Sequence, residues 1–347
     1  MRKILNLYDA TARGEATDRV CSLPDLSSAT VRREINGEYS LTAVMPERGS
    51  FADMVEIGRA IKCTVNEAGK EQFFIIKRRA RTISGDLRIY AEHQSYYLSG
   101  VICRGVQAGN RRSPVQTFNA LPVAATPSIT GLSTWTFSYT GGAEIDTPAA
   151  PPTPLRTMLL RYLIENYGGE IDFDGFDVEW INQIGSDRGA VYRYGINLTE
   201  MEAEDIIDSY ASGIYPFWAG NGTVVTIPNR VIDYPGTWPV QFYRPVDMTS
   251  MWTTQPSSSE LDTLAHQWLN TNTPTGIQLA IRAARAAIST NTPVDLGDTV
   301  RIVNTPWGID QKTRVLALEY DALRGIATGI ELGSINPGFA GAVKNMK

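Results

Sequence analysis

Histidine is nearly absent: 347 residues hold only His93 and His266, and they stand far apart. A zinc peptidase needs two or three imidazoles, or imidazole with carboxylate, at close spacing. A serine or cysteine nucleophile needs an activating base, and neither histidine sits in a nucleophile motif. Both read as structural. Cysteine is also scarce. Cys21, Cys63 and Cys103 are odd in number and widely spaced, which suits small buried hydrophobes better than a disulfide framework or metal site. No apolar run is long enough to span a bilayer, and the N-terminus lacks the apolar core of a signal peptide. The expectation is a chain made in the cytoplasm and soluble until assembled. No glycine-rich phosphate loop or dinucleotide fingerprint occurs, so no cofactor is expected. The charge excess is small as well. A net −5 with interspersed acids and bases argues against a dedicated nucleic-acid surface, yet permits a surface past which DNA slides.

What is present is one β-module written twice. Val55-Glu-Ile-Gly-Arg-Ala-Ile-Lys-Cys63 leads through a polar loop to Gln72-Phe-Phe-Ile-Ile-Lys, a Ser84-Gly85-Asp86 turn and Leu87-Arg-Ile-Tyr-Ala. Val294-Asp-Leu-Gly-Asp-Thr-Val-Arg-Ile302 leads likewise to Lys312-Thr-Arg-Val-Leu-Ala-Leu, a turn at Asp321 to Gly325, and Ile326 to Leu332. Acid, aliphatic, glycine and alternating strand stay in register. The interval from Gly58 to Gly85 is one residue shorter than that from Gly297 to Gly325. Two copies of a barrel, used three times, present a six-fold surface.

With 43% apolar residues the chain can bury several cores. Residues 1–103 read as a first small antiparallel barrel. Asn36-Gly37 joins two of its strands and predicts a type I′ turn with two positive φ angles. Residues 104–190 read as an α/β insertion. Its aromatic strand is Trp135 to Tyr139, and its helix opens at Thr153-Pro154 and stops at Gly168-Gly169. Residues 191–245 and 290–336 read as a second, discontinuous barrel, with strands at 213–218, 223–227 and 240–243 among its opening elements. Between them, 246–289 forms a small insertion. Ser257 and Glu260 make a capping box there, and Leu261, Leu264, Ala265, Trp268 and Leu269 an apolar stripe; in Ile277 to Ala283 the alanines suit a helix and the alternation a strand, and strand is favoured. Residues 337–347 are a tail. The fold class is mainly β with α: two related barrels and two α/β insertions.

Candidate chemistry is thin, and no catalytic or metal-binding residue is expected. Asp172, Asp174, Asp177 and Glu179 surround Asp174-Gly175. Two carboxyls suffice for a glycosidase, and the run resembles a broken calcium loop without the regular ligand spacing. Acids on the solvent side of a hairpin are the favoured reading. The run Lys77-Arg-Arg-Ala-Arg81 reads as an exposed strand end or a subunit contact, with Arg79 and Arg81 as candidate interface residues. Trp307, in the loop tip Thr305-Pro-Trp-Gly308, is a third, and a protein neighbour is favoured over a sugar. Trp218 and Trp268 read as core. Glu200, Glu202 and Glu204 are candidates to line a channel.

The closing segment, Val294 to Ile302 through Gly308-Ile-Asp-Gln-Lys-Thr-Arg-Val-Leu-Ala-Leu-Glu-Tyr-Asp321 to Ile330-Glu-Leu-Gly333, resembles that of the phage tail-tip hub family. That family includes tail-associated lysins, often labelled prophage endopeptidase tail proteins, and the baseplate hubs of contractile phages. Gly37-Glu-Tyr-Ser-Leu-Thr, the helix and strand from Leu155 to Asp174, and the helical insertion follow in the family's order. The resemblance implies a homotrimer in the virion tail tip whose two barrels per chain form a pseudo-hexameric ring. Its partners would be a distal tail ring above, a tape measure protein within, and a spike, fibre or lysin below, with double-stranded DNA passing through without sequence recognition. Many members continue into a lysin region, whereas this sequence stops at Lys347. The expectation is therefore a non-enzymatic adaptor, with a tail-associated peptidoglycan hydrolase as the alternative.

Overall fold

A computed structural model describes residues 2–11, 15–103, 105–119, 135–140, 144–206, 212–234, 241–252, 254–271, 278–286 and 292–333. The chain divides into two bodies, Met1–Glu202 with Arg282–Gly341, and Ala203–Ile281 with Ala342–Lys347.

The larger body begins with β1 (Leu5–Ala10), β2 (Ala16–Leu23), β3 (Ser28–Glu34), β4 (Tyr39–Pro46), β5 (Ala60–Thr64), β6 (Glu71–Arg81) and β7 (Asp86–His93). Short strands β8 (Ile102–Cys103) and β9 (Gly109–Arg112), helix α1 (Pro114–Asn119), and β10 (Thr136–Thr140), β11 (Ile145–Thr147) and β12 (Thr153–Pro154) follow. Helix α2 (Leu155–Thr157) runs through a π turn at Met158–Leu163 into α3 (Ile164–Tyr167). Gly168, at φ +72°, stops it. Strands β13 (Glu170–Asp174) and β14 (Asp177–Ile181) make a hairpin about Gly175, with β10 parallel to β14. The chain continues through β15 (Asp187–Arg193) and β16 (Leu198–Ile206).

The smaller body has β17 (Gly213–Gly220), β18 (Thr223–Thr226), β19 (Ile232–Asp233), β20 (Tyr243–Asp247) and α4 (Ser258–Thr271). Ser257 and Glu260 form the capping box: the Ser257 amide donates to Glu260 Oε2 at 2.8 Å and the Glu260 amide to Ser257 Oγ at 3.3 Å. Leu261 and Ala265 of α4 bury against Ile214, Trp218 and Met248, with Trp268 packed beside them. Strand β21 (Gln278–Ala286) begins in this body and ends in the larger one, which continues with β22 (Thr299–Asn304), β23 (Ile309–Asp321) and β24 (Ile326–Gly333).

Strand order shows how the repeats combine. One eleven-stranded sheet runs β15-β22-β23-β3-β4-β7-β6-β5-β1-β2, with β24 also on β23. The sequence predicts two barrels. Among the described residues no barrel closes, and both repeats share one sheet because β3 of the first lies on β23 of the second. Strands β17 to β20 do not open the second module. They pair with one another, and Trp218 and Ile214 give them their own core. The insertion's helix and hairpin have no separate core: Leu155, Leu159, Leu163 and Trp180 join Leu41, Phe74 and Ile76 of the first module. Burying each such side chain contributes about 1.5–3 kcal/mol.

The Asn36-Gly37 turn also differs from expectation. Only Asn36 takes a positive φ, +53°. Its side chain explains why, for Nδ2 donates to Gly169 O at 3.2 Å and Oδ1 accepts from Ile171 N at 2.8 Å. The asparagine docks the hairpin tip on the insertion.

Candidate functional site

The repeated sequence folds into a repeated corner. The Gly58 amide donates to Ile76 O at 2.9 Å and the Ile76 amide returns to Arg59 O at 2.8 Å. The Gly297 amide donates to Val315 O at 2.9 Å and the Val315 amide returns to Asp298 O at 3.0 Å. Arg59 N to Glu56 O, 3.3 Å, matches Asp298 N to Asp295 O, 3.2 Å. Each corner glycine is left-handed, Gly58 at φ +92° and Gly297 at +81°. Beyond the corner both long strands carry a bulge at the same place, between Ile76 and Arg78 and between Val315 and Ala317. The turns that follow hold Gly85 at +82° and Gly325 at +77°. The two corners are one structure made twice.

What surrounds the corners is different. At the second, Arg314 fastens the module to the insertion. It pairs in two places with Glu170, at 2.6 and 3.0 Å, and donates to Ile184 O and Gly297 O. Asp298 accepts from Ser186 N at 2.9 Å. Buried Arg33 of β3 reaches Asp172 at 2.5 Å and Asp295 at 3.4 Å, with its guanidinium over the Tyr39 ring. The crevice beside it, between Asn36, Gly37, Phe173 and Leu296, has about 10 Å³, room for roughly one water and no substrate.

The groups that carry chemistry elsewhere are occupied here. Asp172 is held by Arg33 and Lys70, Asp174 by Gln72 and Lys70, and Asp177 by Thr136. Burial pushes the Asp172 carboxyl up, but Arg33 and Lys70 outweigh it and hold the group below its usual value. A glycosidase acid needs the opposite shift. No group of three or more His, Cys, Asp or Glu able to hold a metal occurs among the described residues. Burial also raises all three thiols, Cys103 to about 11, so none is an activated thiolate.

His93 and Ser95 look like a catalytic pair by distance, 3.0 Å from Nδ1 to Oγ, but both are fully buried. The Ser95 amide also donates to Nδ1, so Nε2 carries the proton and donates to Gln72 Oε1 at 3.0 Å. The ring stacks on Tyr39 at 4.2 Å. Burial first, then Arg33, Arg156 and Lys70, lowers its pKa well below the ordinary value. Below about pH 6.5 the unfolded chain takes up a proton that the folded ring refuses. Stability is therefore expected to fall by up to about 1.4 kcal/mol per pH unit below that point, until the folded ring itself protonates. Urea midpoints of wild type and His93→Gln between pH 7 and 5 check this. Parallel curves would refute it.

The candidate interface residues fall on separate elements. Trp307 ends a short 3-10 turn between β22 and β23, 56% exposed, its amide donating to Asn304 Oδ1. Arg79 and Arg81 lie exposed near the end of β6. Arg79 Nη1 donates to Val55 O at 2.7 Å and Arg81 pairs with Glu47 at 3.1 Å. Glu200, Glu202 and Glu204 are on β16, but their side chains lie outside the described residues. Sequence reading missed Arg33, Glu170 and Arg314. Nothing local signals them, since each pairs with a residue more than a hundred positions away.

No model of a known protein family matches the chain, and no curated protein does. Solved structures do match over nearly the whole length. A prophage tail protein, gp18 of Listeria monocytogenes EGD-e, superposes with a TM-score of 0.64 at 13% identity, covering 99% of this chain and 98% of that one. A tail protein from Neisseria meningitidis MC58 gives 0.58 at 12% identity, covering 96% of each. The 43 kDa tail protein of prophage MuSo2 from Shewanella oneidensis gives 0.60 at 10% identity, covering 96% and 98%. The chain has the fold of these tail proteins.

Proposed function

We propose that the chain is a structural adaptor of a phage or prophage-like tail tip. Three copies would set six copies of the module about one axis, joining a six-fold tail tube or distal tail ring to a three-fold tip. The observation that carries this reading is the repeated corner, matched bond for bond at Gly58 and Gly297. Similarity in fold to prophage tail proteins supports it.

In this reading the chain has no catalysis of its own and sits in the virion tail, after assembly in the host cytoplasm. A tape measure protein would end in the lumen and DNA would later pass through it, with Glu200, Glu202 and Glu204 as candidates to line the wall. A spike, fibre or lysin would hang below, and Trp307 would contact a protein neighbour. Light scattering on the purified chain is expected to give three times the chain mass, and particle images with the chain labelled should place it at the tail tip. Label on the capsid, or scattered along the tube, would overturn the reading.

A further inference from the structure

The modules differ in what lies along the long strand beyond the corner. After its bulge β23 continues beside β3, pairing Ala317 with Glu34 through Asp321 with Thr30. There Arg32 stands opposite Glu319, 3.1 Å between charged atoms, and reaches Glu331 at 2.8 Å. Leu316 O accepts from Ile35 N and Ala322 N donates to Ala29 O, so alternate residues of β23 turn their backbone toward β3. The matching residues of β6 are Lys77, Arg79 and Arg81. This stretch is exposed, and among the described residues no strand pairs with that edge.

The corner beside it is uncovered too. Leu296, 4% exposed, lies in the crevice walled by hairpin residues Arg33, Asn36, Gly37 and Tyr39. Its counterpart Ile57 is 65% exposed. Arg79, bonded to Val55 O, ties this corner to the free edge.

The strand that fits there is in the chain. Strand β21 starts at Gln278 and β4 at Tyr39, the same interval that separates Gly297 from Gly58. So β21 is the counterpart of β4, and β16, its one strand partner among the described residues, is the counterpart of β3. The hairpin β3-β4 is flanked on both sides, by β23 and by β7. The β16-β21 ribbon has no strand along either side among the described residues, and β24, the counterpart of β7, pairs only with β23.

We propose that β16 of a second copy of this chain adds to the free edge of β6 at Lys77–Arg81 and covers Ile57, while β21 lies along β24 of its own module. Main-chain bonds supply the affinity of such strand addition. Charge selects the partner: Lys77, Arg78, Arg79 and Arg81 meet a strand that carries Glu200, Glu202, Glu204 and Asp205. The intrachain seam uses the reverse polarity, with Arg32 on the hairpin and the acids on β23 and β24. This joint rests on the adaptor reading and says how copies connect, head to tail, until the ring closes.

Hydrogen exchange by mass spectrometry, on assembled and on diluted wild-type chain, tests it. Residues 77–82 are expected to exchange at least about tenfold more slowly in the assembly. Arg79 turns its amide away from β7, so Arg79→Pro removes an edge donor and no ladder bond; it should weaken assembly about tenfold or more with an unchanged circular dichroism spectrum. Arg79→Glu and Glu202→Lys should each weaken assembly, and the double variant should recover it. A trimer in which residues 77–82 exchange as fast as in the diluted chain would overturn the joint and leave the adaptor reading standing. A chain that stays monomeric at its highest concentration would overturn both.

Discussion

Replacing Gly297 with alanine is expected to cost about 2–5 kcal/mol, and replacing its counterpart Gly58 only about 1–2 kcal/mol. Both residues are left-handed, and an L-residue there costs about 1–2 kcal/mol through the contact of Cβ with backbone. Space separates them. A Cβ on Gly58 meets nothing within 4 Å, whereas one on Gly297 stands 2.4 Å from Ile184 O and 2.7 Å from its carbonyl carbon. Neither atom belongs to a flexible side chain. Gly185 faces back in the same way, since its Cβ would come 2.3 Å from the Gly297 carbonyl carbon. Two backbones meet where a side chain on either would part them, and relieving that contact adds about 1–3 kcal/mol. Urea unfolding of the two variants decides the matter. Equal losses would mean that the second corner is not pressed against the insertion.

That asymmetry marks how far the fold was legible. Gly58, Gly85, Gly297 and Gly325 could be aligned because a left-handed turn needs glycine at a fixed place, and the structure repeats the bonds as well as the letters. The capping box at Ser257 was legible for the same reason, being local, and alternation favoured a strand over a helix at 277–283, where β21 spans Gln278–Ala286. Which strand lies beside which was not. Alternation marks Gly213–Gly220 as a strand, but the same alternation serves the sheet that β17 forms with β18, β19 and β20. Two closed barrels were a reasonable product of two repeats. The pairing of β3 with β23, residues nearly three hundred positions apart, makes one sheet of them instead.

The candidate site divides along the same line. Trp307, Arg79 and Arg81 were legible as exposed groups because a loop tip and a run of cations announce themselves. The acids at 172–179 read as a solvated hairpin face, and Asp174 and Asp177 are largely that. Asp172 is not, because buried Arg33 arrives from a strand 139 residues earlier and makes the half-buried carboxylate its ion-pair partner. Charges that meet only after folding look, in sequence, like any solvated charge. The edge at Lys77–Arg81 stands out only beside the second module: among the described residues no strand pairs with it, whereas its counterpart on β23 pairs with β3.

Arg314→Met should cost about 3–5 kcal/mol, the expected loss when one member of a buried ion pair is removed. Glu170 is only 5% exposed, and its carboxylate keeps just the Ile184 amide, at 2.6 Å, once both guanidinium bonds are gone. The carbonyls of Ile184 and Gly297 lose their donor in the same step. Arg314 is not part of the repeat, for its counterpart in the first module is Ile75, opposite Ala60 in the register that sets Arg314 opposite Thr299. The first corner has no cation at that register position; its own arginine contact comes from Arg79, which reaches Val55 O instead. If the penalty comes from an unpaired carboxylate, Glu170→Gln in the Arg314→Met background should restore about half of the loss or more, although Glu170→Gln alone destabilises. Chemical denaturation of the four proteins forms the cycle. Additive losses would show that the two side chains act separately, and the attachment of the second module would then have to rest on the glycine contact and on Asp298.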